Sequence, residues 1–205
     1  MPRMSPEERR EAIVAATLRV MRRQGIGGTT VRDVAAELGT SSGLIHHYFA
    51  SMDDLIAEAF ARVAGHDLAA TRESLSRARD AVERLRLFLD AYARTEENSV
   101  MQIWLDAWSE AARRPAIQRI SRHLNEEWQA VLAATIREGV EQGTMTSAEP
   151  AVAAWRILAL LDGLMLQAVA HGSSVSFVDA NIWSRTGAEL ELGMPSGSLA
   201  RVDVR

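Results

Sequence analysis

The adjacent pair His46-His47, inside "TSSGLIHHYF" (Thr40–Phe49), offers the first residues whose types could do chemistry. An imidazole titrates near neutral pH, so it can ligate a metal, move a proton or donate hydrogen bonds. Metal ligation needs converging donors. Neighbouring helical positions point about 100° apart, unlike an i, i+4 pair. No Asp, Glu or Cys stands three or four residues from either histidine. A hydrolase reading finds no acid placed for a triad. We therefore expect no metal, no cofactor and no catalytic residue, and read the histidines as donors on a surface that recognises another molecule.

Composition narrows the classes further. The 205-residue chain is 47% hydrophobic and has no cysteine, which excludes disulfides, thiolate zinc sites and a cysteine nucleophile. That fits a reducing cytosol. All 23 basic residues are arginines. Glu7, Glu8 and Glu11 interrupt any apolar signal core, and no run of about 18 uninterrupted apolar residues occurs. A cytoplasmic protein with no membrane partner is expected. The net charge of −4 is uneven: residues 1–50 carry seven Arg against five acids, and residues 51–205 carry sixteen against twenty-two. A polyanion would meet the N-terminal end.

Helical periodicity must position these residues, and no convincing strand alternation appears. A first helix is expected from about Pro6 to Gln24, stopped by Gly25 and followed by the turn "GIGGTT". Thr30 reads as an N-cap with Asp33 as its capping-box partner, starting a helix over 31–38 that Gly39 closes. Ser41 is the next N-cap, with capping alone its preferred role, and a third helix runs from Ser42 to about Phe49. Two short helices joined by "GTS" form a helix-turn-helix. A fourth helix begins near Met52 after the Ser51 cap and runs to roughly Arg77. Longer helices follow within 80–98, 100–114, 115–143, 150–172 and 177–193.

"TTVRDVAAELGTSSGLIHHYFASMDDLI" (Thr29–Ile56) resembles the DNA-binding segment of TetR-family transcriptional repressors. The matching pieces are Thr29-Thr30, Gly39-Thr40-Ser41, Tyr48-Phe49 and Phe49…Leu55. "SGLIHHYF" and "IWLDAWSEAARRP" are most similar to the BetI-type branch. One departure is Met52, where the family pattern has a lysine that contacts phosphate. Arg32 or the start of the fourth helix would compensate. The resemblance implies an all-α fold: an N-terminal three-helix helix-turn-helix domain over 1–51 and a C-terminal helical effector and dimerisation domain over 52–193. Residues 194–205 are expected to be a loose tail.

In such a module the second helix enters the major groove and the flanks hold phosphate. The expected DNA contacts are Thr30, Arg32, Ser42, Gly43, Leu44, His46, His47 and Tyr48, with core packing the alternative for Leu44 and Tyr48. The C-terminal candidates are Trp104, Trp108, Trp128, Trp155 and Asp162. Tryptophans with a nearby acid would suit an organic cation, and the BetI-type resemblance implies choline; core and interface packing is the alternative. Residues 152–169 are apolar on most of their circumference and need cover on all sides. We expect a homodimer through the last two helices, about 150–171 and 176–192. Two such protomers would bind a pseudo-palindromic operator, and a small-molecule effector would release it. The alternatives are a helical small-molecule-binding enzyme and an adaptor without operator binding.

Overall fold

The computed structural model describes residues 4–93, 99–171 and 174–200. Among them the chain forms nine helices and no strand. They are α1 (Pro6–Gly28), α2 (Val31–Leu38), α3 (Ser42–Tyr48), α4 (Met52–Leu75), α5 (Ala81–Ala93), α6 (Ser99–Ala111), α7 (Pro115–Glu141), α8 (Pro150–His171) and α9 (Phe177–Glu191). The all-α expectation holds. The chain divides into two compact units, residues 1–66 with 99–124 and residues 67–98 with 125–205.

In the first unit, α1 begins with a reciprocal cap. Glu8 N–H donates to Ser5 Oγ at 3.1 Å and Ser5 N–H to Glu8 Oε2 at 2.7 Å. Its inward face is Ile13, Val14, Ala16, Thr17, Val20 and Met21. Gly25 breaks the helix at φ 77°, and a short turn carrying the buried Ile26 follows. Helix α2 has the expected box between Thr30 and Asp33, and it ends on Gly39 in the left-handed conformation at φ 68°. Helix α3 is seven residues long, too short to persist alone. It is anchored by the buried Ile45 and Phe49, each worth about 2 kcal/mol of apolar burial. The Arg10 guanidinium lies 4.4 Å from the Phe49 ring centre and also pairs with Glu58 of α4. Ser51 caps α4 by accepting from Asp54 N–H at 3.1 Å.

In the second unit, α9 packs on α8 and α5. The buried face of α9 is unusually polar, with Asn181, Ser184, Arg185 and Glu189 inside and Val178, Ile182, Trp183 and Leu190 exposed. Residues 194–200 correct the expectation of a loose tail. Leu199 is buried. Arg185 Nη1 donates to Leu199 O at 2.6 Å, Glu189 accepts from Gly197 N–H at 3.0 Å and Leu199 N–H at 2.6 Å, and Arg86 Nε donates to Ser198 O at 2.9 Å. A buried arginine and glutamate must be partnered, and the main chain of this segment partners them. The rest of the expected tail, residues 201–205, lies outside the described residues.

Candidate nucleic-acid interface and effector site

Helices α2 and α3 pack on each other across the Gly39–Ser41 turn, so α3 presents its outer face. On it His46, His47 and Gly43 are exposed, while Ser42, Leu44 and Tyr48 are half-buried. The His47 and Tyr48 rings meet edge to face at 5.2 Å. A side chain at Gly43 would meet only Ser41 Oγ, 3.8 Å from its Cβ, so nothing within the described residues requires glycine there. Thr30 and Arg32 are exposed beside this face at the start of α2. Seven of the eight expected contact residues thus lie on α2 and α3, and the eighth, Thr30, caps α2.

Ser41 departs from expectation. It stands at the N-cap of α3 with extended backbone, but its side chain makes no capping bond. The first turn is held instead by Leu44 N–H donating to Ser41 O at 3.1 Å. Gly39-Thr40-Ser41-Ser42-Gly43 also spells Gly-x-Ser-x-Gly, which marks a nucleophile only on a strained strand-to-helix elbow. Here it links two helices.

The electrostatics of this region come from pairing. Arg19 and Arg23 both hold Glu37, at 2.7 and 3.1 Å, and lower its carboxyl below the usual range. Asp33 is lowered by its bonds from Thr30 and Gln24. Among the described residues Arg32 makes no ion pair. Met52, at the lysine position, is half-buried at the head of α4, and the acids Asp53 and Asp54 follow it.

The five C-terminal candidates divide between the units. Trp104 and Trp108 belong to the first, where the buried Trp104 meets Phe60 edge to face at 5.0 Å and Trp108 tilts against it at 5.7 Å. Trp128, Trp155 and Asp162 belong to the second. Trp128 is buried against Phe88 at 5.6 Å and Tyr92 at 5.4 Å, and Tyr92 hydrogen-bonds Asp162. Burial pushes the Asp162 carboxyl up to about 7, against a smaller lowering from Tyr92. The Tyr92 hydroxyl is pushed well above its ordinary value, first by burial and then by the charges of Asp162 and Asp67. Trp155 is placed apart from this group, 41% exposed on the face of α8 that also carries Val152, Leu160 and Leu166. The sequence reading missed Phe88 and Tyr92; a lone Phe and Tyr in an amphipathic helix carry no distinguishing signal.

Comparison with known proteins fits this geometry. Residues 13–59 match the bacterial regulatory proteins of the tetR family, and residues 81–192 match the C-terminal domain of BetI-type transcriptional repressors. The chain belongs to the TetR family of transcriptional repressors, with a BetI-type C-terminal domain. The HTH-type transcriptional regulator BetI of Burkholderia mallei is 32% identical to this TetR-family chain over 176 residues, spanning 84% of the chain and 88% of that protein. A transcriptional regulator of Saccharomonospora viridis, solved in complex with choline, superposes with a TM-score of 0.83 at 28% identity, covering 91% of this chain and 98% of that one. A regulator from Pseudomonas aeruginosa PAO1 gives 0.79 at 30% identity over 96% and 95%.

Proposed function

We propose that the chain acts in the cytoplasm as a homodimeric repressor whose α3 reads a pseudo-palindromic operator. The observation that carries this is the outer face of α3: exposed imidazoles, a glycine that no internal contact requires, and a helix already anchored from behind by Ile45 and Phe49. Gly43 costs a helix about 1 kcal/mol relative to alanine, a cost that close approach to a groove floor would explain. Ser42 and Gly43 keep the leading turn slim, and Leu44 meets a thymine methyl. His46 and His47 donate to phosphate or guanine acceptors, Tyr48 reaches a phosphate, and Thr30 and Arg32 clamp the flanking backbone.

Dimerisation would use the exposed apolar faces of α8 (Val152, Trp155, Leu160, Leu166) and α9 (Val178, Ile182, Trp183, Leu190). By length and composition alone α8 could cross a membrane, but its other face is committed to protein core through Ile157, Leu158, Leu161 and Met165. A second protomer is the cover we assign to the open face. We place an organic cation, of the kind held by the S. viridis relative, at Trp128, Tyr92 and Phe88 with Asp162 as counter-charge. It would favour a dimer geometry whose two α3 helices no longer match half-sites about one helical turn apart.

Titration of the protein against its own upstream DNA and a scrambled duplex, at several salt concentrations, tests the proposal. Preferential binding with a steep salt dependence is expected. Equal affinity for both duplexes with a shallow slope would remove operator binding and leave the adaptor reading.

A further inference from the structure

The segment "GIGG" that closes α1 after its break at Gly25 is gripped from α6. Gly25 breaks the helix, so the Ile26 N–H starts a new turn, and Asp106 Oδ2 of α6 accepts from it at 3.3 Å. A Cβ at Gly25 would lie 3.0 Å from that same oxygen, and one at Gly27 would lie 3.1 Å from Glu110 Oε1. Two carboxylates one helical turn apart on α6 therefore pack closely against this segment, and a Cβ at Gly25 or Gly27 would displace them by a few tenths of an ångström. Asp106 is itself oriented, since Gln102 Nε2 donates to its other oxygen at 3.1 Å.

The hydrogen bonds continue toward the DNA-facing side. Thr29 Oγ1 donates to Gly25 O at 2.7 Å, and Gln24 Nε2 donates both to Gly28 O at 2.9 Å and to Asp33 Oδ2 at 3.0 Å. Asp33 in turn closes the box on Thr30. Just past the end of α6, Arg114 Nε donates to Glu110 at 3.0 Å, and its Nη1 stands 3.5 Å from Asp53, at the start of α4. Helix α6 thus holds the chain just before α2, and Arg114, which follows it and pairs with its Glu110, reaches the start of α4.

We propose that Asp106, supported by Glu110, is a positioning residue for DNA binding: it sets the pose of the turn that delivers Thr30 and Arg32 to the phosphates. A partly buried carboxylate capping a backbone N–H is a directional bond, and a glycine-rich turn has little stiffness of its own to replace it. This rests on the operator-binding reading, and the test separates the two.

Full-length Asp106→Ala and Asp106→Asn are compared with wild type by operator titration and by hydrogen exchange on peptides covering residues 24–33. Asn retains an oxygen acceptor. Asp106→Ala should bind the operator about tenfold more weakly, the order expected for one charge-assisted bond, and exchange faster at 26–30 with other helices unchanged. Asp106→Asn, which keeps one acceptor but not the charge, should recover part of both. Wild-type affinity and exchange in Asp106→Ala, no recovery in Asp106→Asn, or faster exchange throughout the chain would each overturn the assignment. If Asp106→Ala does not fold, Gln102→Leu unseats the carboxylate more gently and should show the same local change at smaller size; unchanged exchange at 26–30 refutes it. If wild type does not prefer the operator, the function falls, and the exchange comparison alone decides the positioning role.

Discussion

Replacing Asp162 by Asn should stabilise the protein, and the gain should grow as pH rises. Asp162 has an ordinary carboxyl pKa of 3.8 and a folded value of about 7. The folded state therefore binds the proton more tightly than the unfolded chain, and stability is lost as pH rises from about 4 to about 7. A difference of about 3 in pKa corresponds to at most about 4 kcal/mol of penalty at pH 8. Near pH 5 only about 1.5 kcal/mol of it has accrued, because the folded carboxyl is still protonated. Residual solvent access reduces both figures, so we expect the advantage of Asp162→Asn to rise by roughly 1–2 kcal/mol between pH 5 and pH 8. Asn keeps an acceptor for the Tyr92 hydroxyl, so the change tests charge rather than shape. The assay is denaturant unfolding of both proteins at the two pH values and one fixed protein concentration, since assembly shifts apparent stability. A constant difference, or one larger at pH 5, would refute the reasoning.

Three further outcomes follow from the same geometry. Choline should bind more tightly at pH 8 than at pH 6, because a cation favours the ionised Asp162; calorimetry giving equal affinity would remove Asp162 as its counter-charge. His47→Ala should weaken operator binding by about 1 kcal/mol with an unchanged thermal midpoint, and unaltered affinity would take His47 out of the contact set. Ile182→Glu together with Trp183→Glu should yield a monomer by sedimentation, placing charges on the face of α9 assigned to the partner; an intact dimer would move the interface elsewhere.

The sequence made the helix-turn-helix legible because its boundaries are local chemistry. Thr30 with Asp33 and the left-handed Gly39 mark both ends of α2, and their partners lie within a few residues. Length scale explains what stayed hidden. Asp106 meets a main-chain N–H eighty positions away, and Arg185 and Glu189 are satisfied by the main chain of 197–199. A backbone partner leaves no residue type to recognise. Asp162 stood out as a carboxylate in an apolar helix, whereas its partner Tyr92 did not. The all-round apolarity of α8 likewise could not tell exposed Trp155 from buried Leu158.

Helix α9 is turned inside out: directional polar bonds fasten its inner side, and apolar bulk faces outward. Hydrophobic contact tolerates sliding, whereas the bonds from Arg185 to Asp90 of α5 and to the main chain of Leu199 fix the axial rotation of the helix. The aim of its outer surface is therefore decided by residues on its inner side. In the proposed dimer, fold and partner choice would be separable traits on one helix. If α9 forms the proposed dimer seam, Val178, Ile182, Trp183 and Leu190 could be exchanged to change what it accepts while Arg185 and Glu189 keep it in place, which would make those four positions the natural ones to recode when two such regulators must share a cell without mixing subunits.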